Sequence, residues 1–67
     1  MKVQSVLFDK SWTQTAAKKW LLAHNFKATK VHVTATRLRY RQYAPKNEKY
    51  RTITFGHGVQ AIIAREP

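Results

Sequence analysis

The sequence predicts an α+β domain: an antiparallel sheet of three to four strands with one helix packed on one face, in β-α-β-β-β order. Three observations carry this. A single stretch, about Trp12 to His24, has helical spacing of its apolar residues. The other apolar residues fall in short β-branched runs divided by turn residues. The composition is 43% hydrophobic, with two Trp, three Tyr and three Phe in 67 residues, which supplies the core of one basic domain spanning residues 1–67.

Residues 2–8, KVQSVLF, favour extended backbone, and Val6, Leu7 and Phe8 suggest a strand end buried on both faces. Asp9, Lys10 and Ser11 make a turn into the helix. Ser11 with Gln14 fits a capping box, and Thr13 is the alternative cap. On a helical wheel Trp12, Ala16, Ala17, Trp20, Leu21, Ala23 and His24 share the inward half. Leu22 falls among the polar positions with Lys18 and Lys19. Asn25 suits the left-handed residue that ends a helix, with Phe26 folding back as its hydrophobic partner.

Residues 30–43, KVHVTATRLRYRQY, are extended. Their apolar parity changes from Val31 and Val33 to Leu38 and Tyr40, which predicts a bulge, a tight bend or a break between two short strands near Thr34–Thr36. Residues 44–49 form a turn punctuated by Pro45 and Asn47. YRTITF at 50–55 alternates, Ile53 and Phe55 inward, Thr52 and Thr54 outward. Gly56-His57-Gly58 is a hairpin connection needing positive φ at one or two sites, and 59–65 is the last strand.

Charge is the strongest functional signal. Thirteen lysines and arginines face three acids, for a net +10. From Lys10 through Asn47 there are nine basic residues and no acid. Such a surface concentrates polyanions. Arg37, Arg39 and Arg41 alternate, so on a strand they share a face and span roughly 13 Å, enough for several phosphates. The planar guanidinium fork binds phosphate oxygens in pairs. Lys30, Lys46, Lys49 and Arg51 are candidates to widen the patch. Arg51 joins it if 37–43 and 50–55 form a hairpin, and Tyr43 and Tyr50 are candidates to stack on bases. Surfaces built only for solubility mix both signs, which this stretch does not. No zinc-finger ligands, helix-turn-helix glycine or RNA-recognition aromatic motif is present, so phosphate contact without base reading is expected.

Other chemistry finds no support. Without cysteine there are no disulfide staples and no thiolate metal sites. His24, His32 and His57 lack a fourth ligand and any pattern that gathers them, so no metal or other cofactor is expected. Asp9, Glu48 and Glu66 lie at element ends without the pairing that general acid–base catalysis needs, and no serine sits in a glycine-flanked elbow. A non-enzymatic protein follows. No apolar run approaches the roughly 20 residues of a bilayer crossing, and the N-terminal segment does not read as a signal peptide.

Trp12-Thr13, Ala16 and Ala17 with Trp20-Leu21 and His24 form the first part of a longer pattern. It continues through Arg39-Tyr40-Arg41-Gln42, Pro45, Tyr50-Arg51-Thr52-Ile53 and Gly58-Val59 before a final apolar strand. Over nearly the whole chain this pattern resembles a short module of proteins from tailed bacteriophages and large DNA viruses. The resemblance implies a viral origin and a small α+β unit, and brings no assigned activity. With the charge, it leads to a nucleic-acid-binding protein, DNA favoured over RNA, located in the host cytoplasm or nucleoid or inside the virion and not secreted. The alternative is an effector that binds or inhibits an acidic host protein through Leu22, Lys18 and Lys19. A sheet with one helix also leaves edge pairing into a homodimer open.

Overall fold

Val6, Leu7 and Phe8 are consecutive, and all three are buried. A strand with one wet face cannot bury adjacent residues, so this one belongs between other strands. In the computed structural model, which describes residues 2–44 and 49–64, it does. The elements are β1 (Lys2–Asp9), α1 (Gln14–Ala23), β2 (Val31–Val33), β3 (Arg37–Arg41), β4 (Tyr50–Gly56) and β5 (Val59–Ala64). They form one five-stranded antiparallel sheet in the order β2-β3-β1-β5-β4, with β1 at its centre. The α+β class and the single helix agree with the sequence reading; the strand count is five rather than three to four. The turn at 45–48 and the tail at 65–67 lie outside the described residues.

The additional strand comes from the parity change. Val31 pairs with Tyr40 and Val33 with Leu38, across a two-residue loop, Ala35-Thr36. Facing positions in a hairpin with an even loop differ in parity, so the switch is a chain reversal and not a bulge within one strand. Thr34 fastens the turn. Its N–H donates to the Arg37 carbonyl at 2.9 Å, and its hydroxyl both donates to that carbonyl and accepts from the Arg37 N–H at 3.0 Å.

The β4–β5 turn uses different chemistry. Its central residues His57 and Gly58 have φ of 55° and 77°, and Gly56 before them has 96°. Two successive positive values match the right-handed twist of the flanking strands. Three sites are thus left-handed where one or two were expected. Positive φ favours glycine at 58, and a Cβ there would also force the Asp9 carboxylate to move.

Thr13, not Ser11, caps the helix, accepting from the Ala16 N–H at 3.1 Å. Ser11 is occupied by the Asp9 carboxylate, to which its N–H and hydroxyl donate. At the other end the Asn25 N–H reaches the Leu22 carbonyl at 3.2 Å and the Phe26 N–H the Leu21 carbonyl at 2.8 Å. Asn25 has φ of 61°, completing a Schellman end. The inward face is narrower than the wheel suggested. Ala17 and Leu21 are buried and Trp20 half-buried, while Ala16, Ala23 and His24 are exposed. The core gathers on the helix side of the sheet around Phe8, whose ring lies 5.0 Å from Trp12 and 5.7 Å from both Trp20 and Tyr40.

Candidate nucleic-acid interface

Register assigns the cations to faces. Arg37, Arg39 and Arg41 pair with Asp9, Leu7 and Ser5, while Leu38 and Tyr40 pair with Phe8 and Val6 of the core. The three guanidiniums therefore share the helix-free face, and all three are exposed. His32 pairs with Arg39 from the outer side, and the Arg41 N–H bonds the Lys30 carbonyl at 3.1 Å, which brings Lys30 to the same face. Lys30, Val31, His32, Arg39 and Arg41 line one shallow depression. A neighbouring one shares Lys30 and Arg41 and adds Lys27 and Tyr43.

Arg39 is the anchored member. The β1 register slips between Val3 and Ser5, which turns both Gln4 and Ser5 toward β3 on the helix-free side. Arg39 Nε donates to Ser5 Oγ at 3.3 Å and its Nη2 to Gln4 Oε1 at 3.4 Å. Gln4 Oε1 also accepts from the Ser5 hydroxyl, and Gln4 Nε2 donates to the Tyr43 carbonyl at 2.8 Å. Gln4 and Ser5 are buried, so the network is protected, yet the arginine bonds are long and leave the guanidinium able to take a stronger acceptor.

Asp9 is the only acid among the described residues and pairs with Arg37 at the turn end of β3. Hydrogen bonds from the Ser11 hydroxyl and N–H hold its carboxyl below its ordinary value of 3.8. The sequence separation of 28 positions hid this neighbour. The field is therefore least balanced toward Lys30, Arg39 and Arg41. Lys27 joins them through Gln42, whose side chain accepts from the Lys27 N–H at 2.7 Å and donates to its carbonyl at 2.9 Å. Lys27 was missed because nothing local in the sequence announces that clamp.

Three expected members are not in this cluster. Arg51 joins the patch only if β3 and β4 form a hairpin. β1 and β5 instead lie between those strands, and Arg51 pairs with Ile63, on the helix side. Lys49 is exposed beside β4, at the opposite edge from β2. Tyr50, also on β4, pairs with Ala64 at that edge, whereas Tyr43 stays near the cations with Lys2 Nζ 6.0 Å from its ring. Lys46 lies outside the described residues. The misplacement has a readable cause: the strand with apolar residues on both faces claims the centre, and with β5 it separates β3 from β4, which are consecutive in sequence.

The rival surface is the outer side of the helix, where Leu22 is 67% exposed and Lys18 and Lys19 are exposed. Trp12 and Trp20 belong to the core periphery. The Trp12 indole donates to the His57 carbonyl at 2.8 Å, and Trp20 stacks on His24 at 3.9 Å. Among the described residues no three metal-ligating side chains gather, and no helix is long and apolar enough to cross a membrane. No family model, curated protein or solved structure matches the chain.

Proposed function

We propose that this protein is a non-enzymatic nucleic-acid-binding protein of viral origin that grips phosphates, DNA first, through the helix-free face of β2 and β3. The observation that carries the reading is the gathering of Lys30, Arg37, Arg39 and Arg41 on one exposed sheet face, with Lys27 at its border and, among the described residues, a single acid, Asp9, at one end. Arginines in alternation suit a run of phosphates and do not read base edges, so binding is insensitive to sequence. Attachment is driven by counterion release. If about five phosphates are neutralised on duplex DNA, log affinity falls against log salt with a slope of about −4.5. Fluorescence anisotropy of a labelled duplex and a single-stranded oligonucleotide across a salt series tests this. A slope near zero, or no binding at low salt, overturns it.

The second reading has its own observation, Leu22 at 67% exposure flanked by two lysines. It makes the outer helix surface a contact for an acidic host protein. Capture of the same partner from nuclease-treated lysate by the wild type, and its loss with Leu22→Ser, would favour it.

A further inference from the structure

The sheet ends in two edges that differ. β2 has three residues and adjoins Lys30, Arg39 and Arg41. β4 has seven, YRTITFG, and among the described residues β5 is the one strand beside it. The helix-free side of the β4–β5 pair shows Tyr50, Thr52, Thr54, Gln60 and Ile62, without a cation. Its helix side shows Arg51, a half-buried Ile53 and Phe55, which is 49% exposed and leans on Trp20 with ring centroids 5.7 Å apart. An edge of this length and partial apolarity, with Arg51 its one cation and Lys49 just before it, is a template for another strand. In a chain of net charge +10, it is also the edge where a second copy meets the least repulsion.

We propose that two copies pair through β4, antiparallel, about a two-fold axis at Ile53, joining their sheets into one. Of the registers centred on Arg51, Ile53 and Thr54, the residues favour Ile53. Pairing about Arg51 sets two guanidiniums face to face. Pairing about Thr54 sets Arg51 against position 57, past the end of β4 at Gly56. Pairing about Ile53 uses residues 51–55 in full. It sets Ile53 against Ile53, Thr52 against Thr54 and Arg51 over Phe55 of the second copy, a cation–π contact that covers the exposed ring. The contact is self-complementary, as an isologous interface must be. It also leaves the cationic strands remote: β3 of one copy and β3 of the other are seven strand spacings apart, roughly 34 Å, against a screening length of about 8 Å. The interface is small, so association is weak and depends on concentration.

Sedimentation equilibrium of nucleic-acid-free protein over a wide concentration range tests this. The expected result is a reversible monomer–dimer equilibrium. Ile53→Lys, which opposes like charges at the axis, raises its dissociation constant at least about 30-fold, and Val33→Lys on the other edge leaves it unchanged. Circular dichroism reports whether Ile53→Lys stays folded. If it does not, Ile53→Cys decides. In a chain that otherwise has no cysteine, mild oxidation links this variant into a dimer, while Thr36→Cys at the β2–β3 turn stays monomeric. A monomer at every concentration overturns the proposal. So does a dimer dissolved by Val33→Lys but not by Ile53→Lys, or equal cross-linking at the two cysteine positions.

Discussion

The hairpins on either side of β1 are built for different ends. In β4–β5 the turn relies on left-handed backbone at His57 and Gly58, and β5 buries Val59, Ala61, Ile63 and Ala64. In β2–β3 the turn relies on one threonine side chain, and the outer strand leaves Val31 and Val33 exposed. The cations divide the same way, with Lys30, Arg37, Arg39 and Arg41 on β2–β3 and neutral residues on the helix-free side of β4–β5. One hairpin supplies much of the apolar burial, and the other, with Lys30, carries four of the thirteen cations. A domain this small has little stability to lose. Keeping repulsive charge at the border of the core and not across it limits the cost of carrying +10.

The contrast predicts that damage to one hairpin unfolds the protein and damage to the other disarms it. The largest effect is Gly58→Ala. It combines positive φ with a collision at the Asp9 carboxylate, and should cost about 2–4 kcal/mol. Thermal melting should show a drop of 10 °C or more, given about 4–8 °C per kcal/mol in domains of this size. Ala35→Gly in the other turn should change little. If Gly58→Ala melts within a degree or two of wild type, the assignment of structural roles to the two turns is wrong.

Next is the arginine pair. Arg39→Ala with Arg41→Ala should weaken duplex binding by about 2 kcal/mol, near 30-fold, and flatten the salt slope by about 2. Both side chains are exposed, so the melting temperature should hold. Thr52→Ala with Thr54→Ala on the neutral half should leave affinity as it was. Equal losses from the two double variants would erase the distinction between the halves of the face.

Tyr40 joins the halves, since it sits on the basic strand and points into the core. It is fully buried and its hydroxyl has no hydrogen-bond partner. An unpaired buried hydroxyl costs about 1–3 kcal/mol, so Tyr40→Phe should stabilise the fold by about 1 kcal/mol and leave binding alone. Burial also raises its pKa above the ordinary 10.0. The unfolded phenol then ionises before the folded one, so stability is intact below pH 10 and falls as pH rises beyond it. Denaturant titrations in alkali should show that decline in wild type and less of it in Tyr40→Phe.

Local patterns in the sequence carried most of the fold. The helix and its Asn25-Phe26 ending, the apolar side of β4 and the glycine turn all follow from neighbours within a few positions. Strand order did not, because pairing depends on which strand can be buried on both faces. Val6-Leu7-Phe8 held that information, and its consequence, that β1 separates β3 from β4, reaches across the chain. The candidate site was legible to the same extent. Alternation put Arg37, Arg39 and Arg41 on one face, whereas the Asp9 neighbour, the Gln4–Ser5 anchor and the recruitment of Lys27 by Gln42 all arise from contacts between distant segments.

The smallest expected effect is the most discriminating for topology. If β3 and β4 formed a hairpin, Arg51 would lie beside Arg39, and Arg51→Ala would cost about as much affinity as either arginine of β3. Here Arg51 faces the helix side from the far edge. Three strand spacings, roughly 14 Å, separate it from β3, beyond the screening length of about 8 Å at physiological salt. Arg51→Ala should therefore change duplex affinity by less than about twofold at that salt and leave the slope within about 0.3 of wild type. The same substitution should weaken self-association, because it removes the cation placed over Phe55 of the second copy. Measured by anisotropy and sedimentation on one sample, these two responses separate the roles. A large loss of affinity with unchanged self-association would return Arg51 to the phosphate-binding surface and refute its place at the dimer edge.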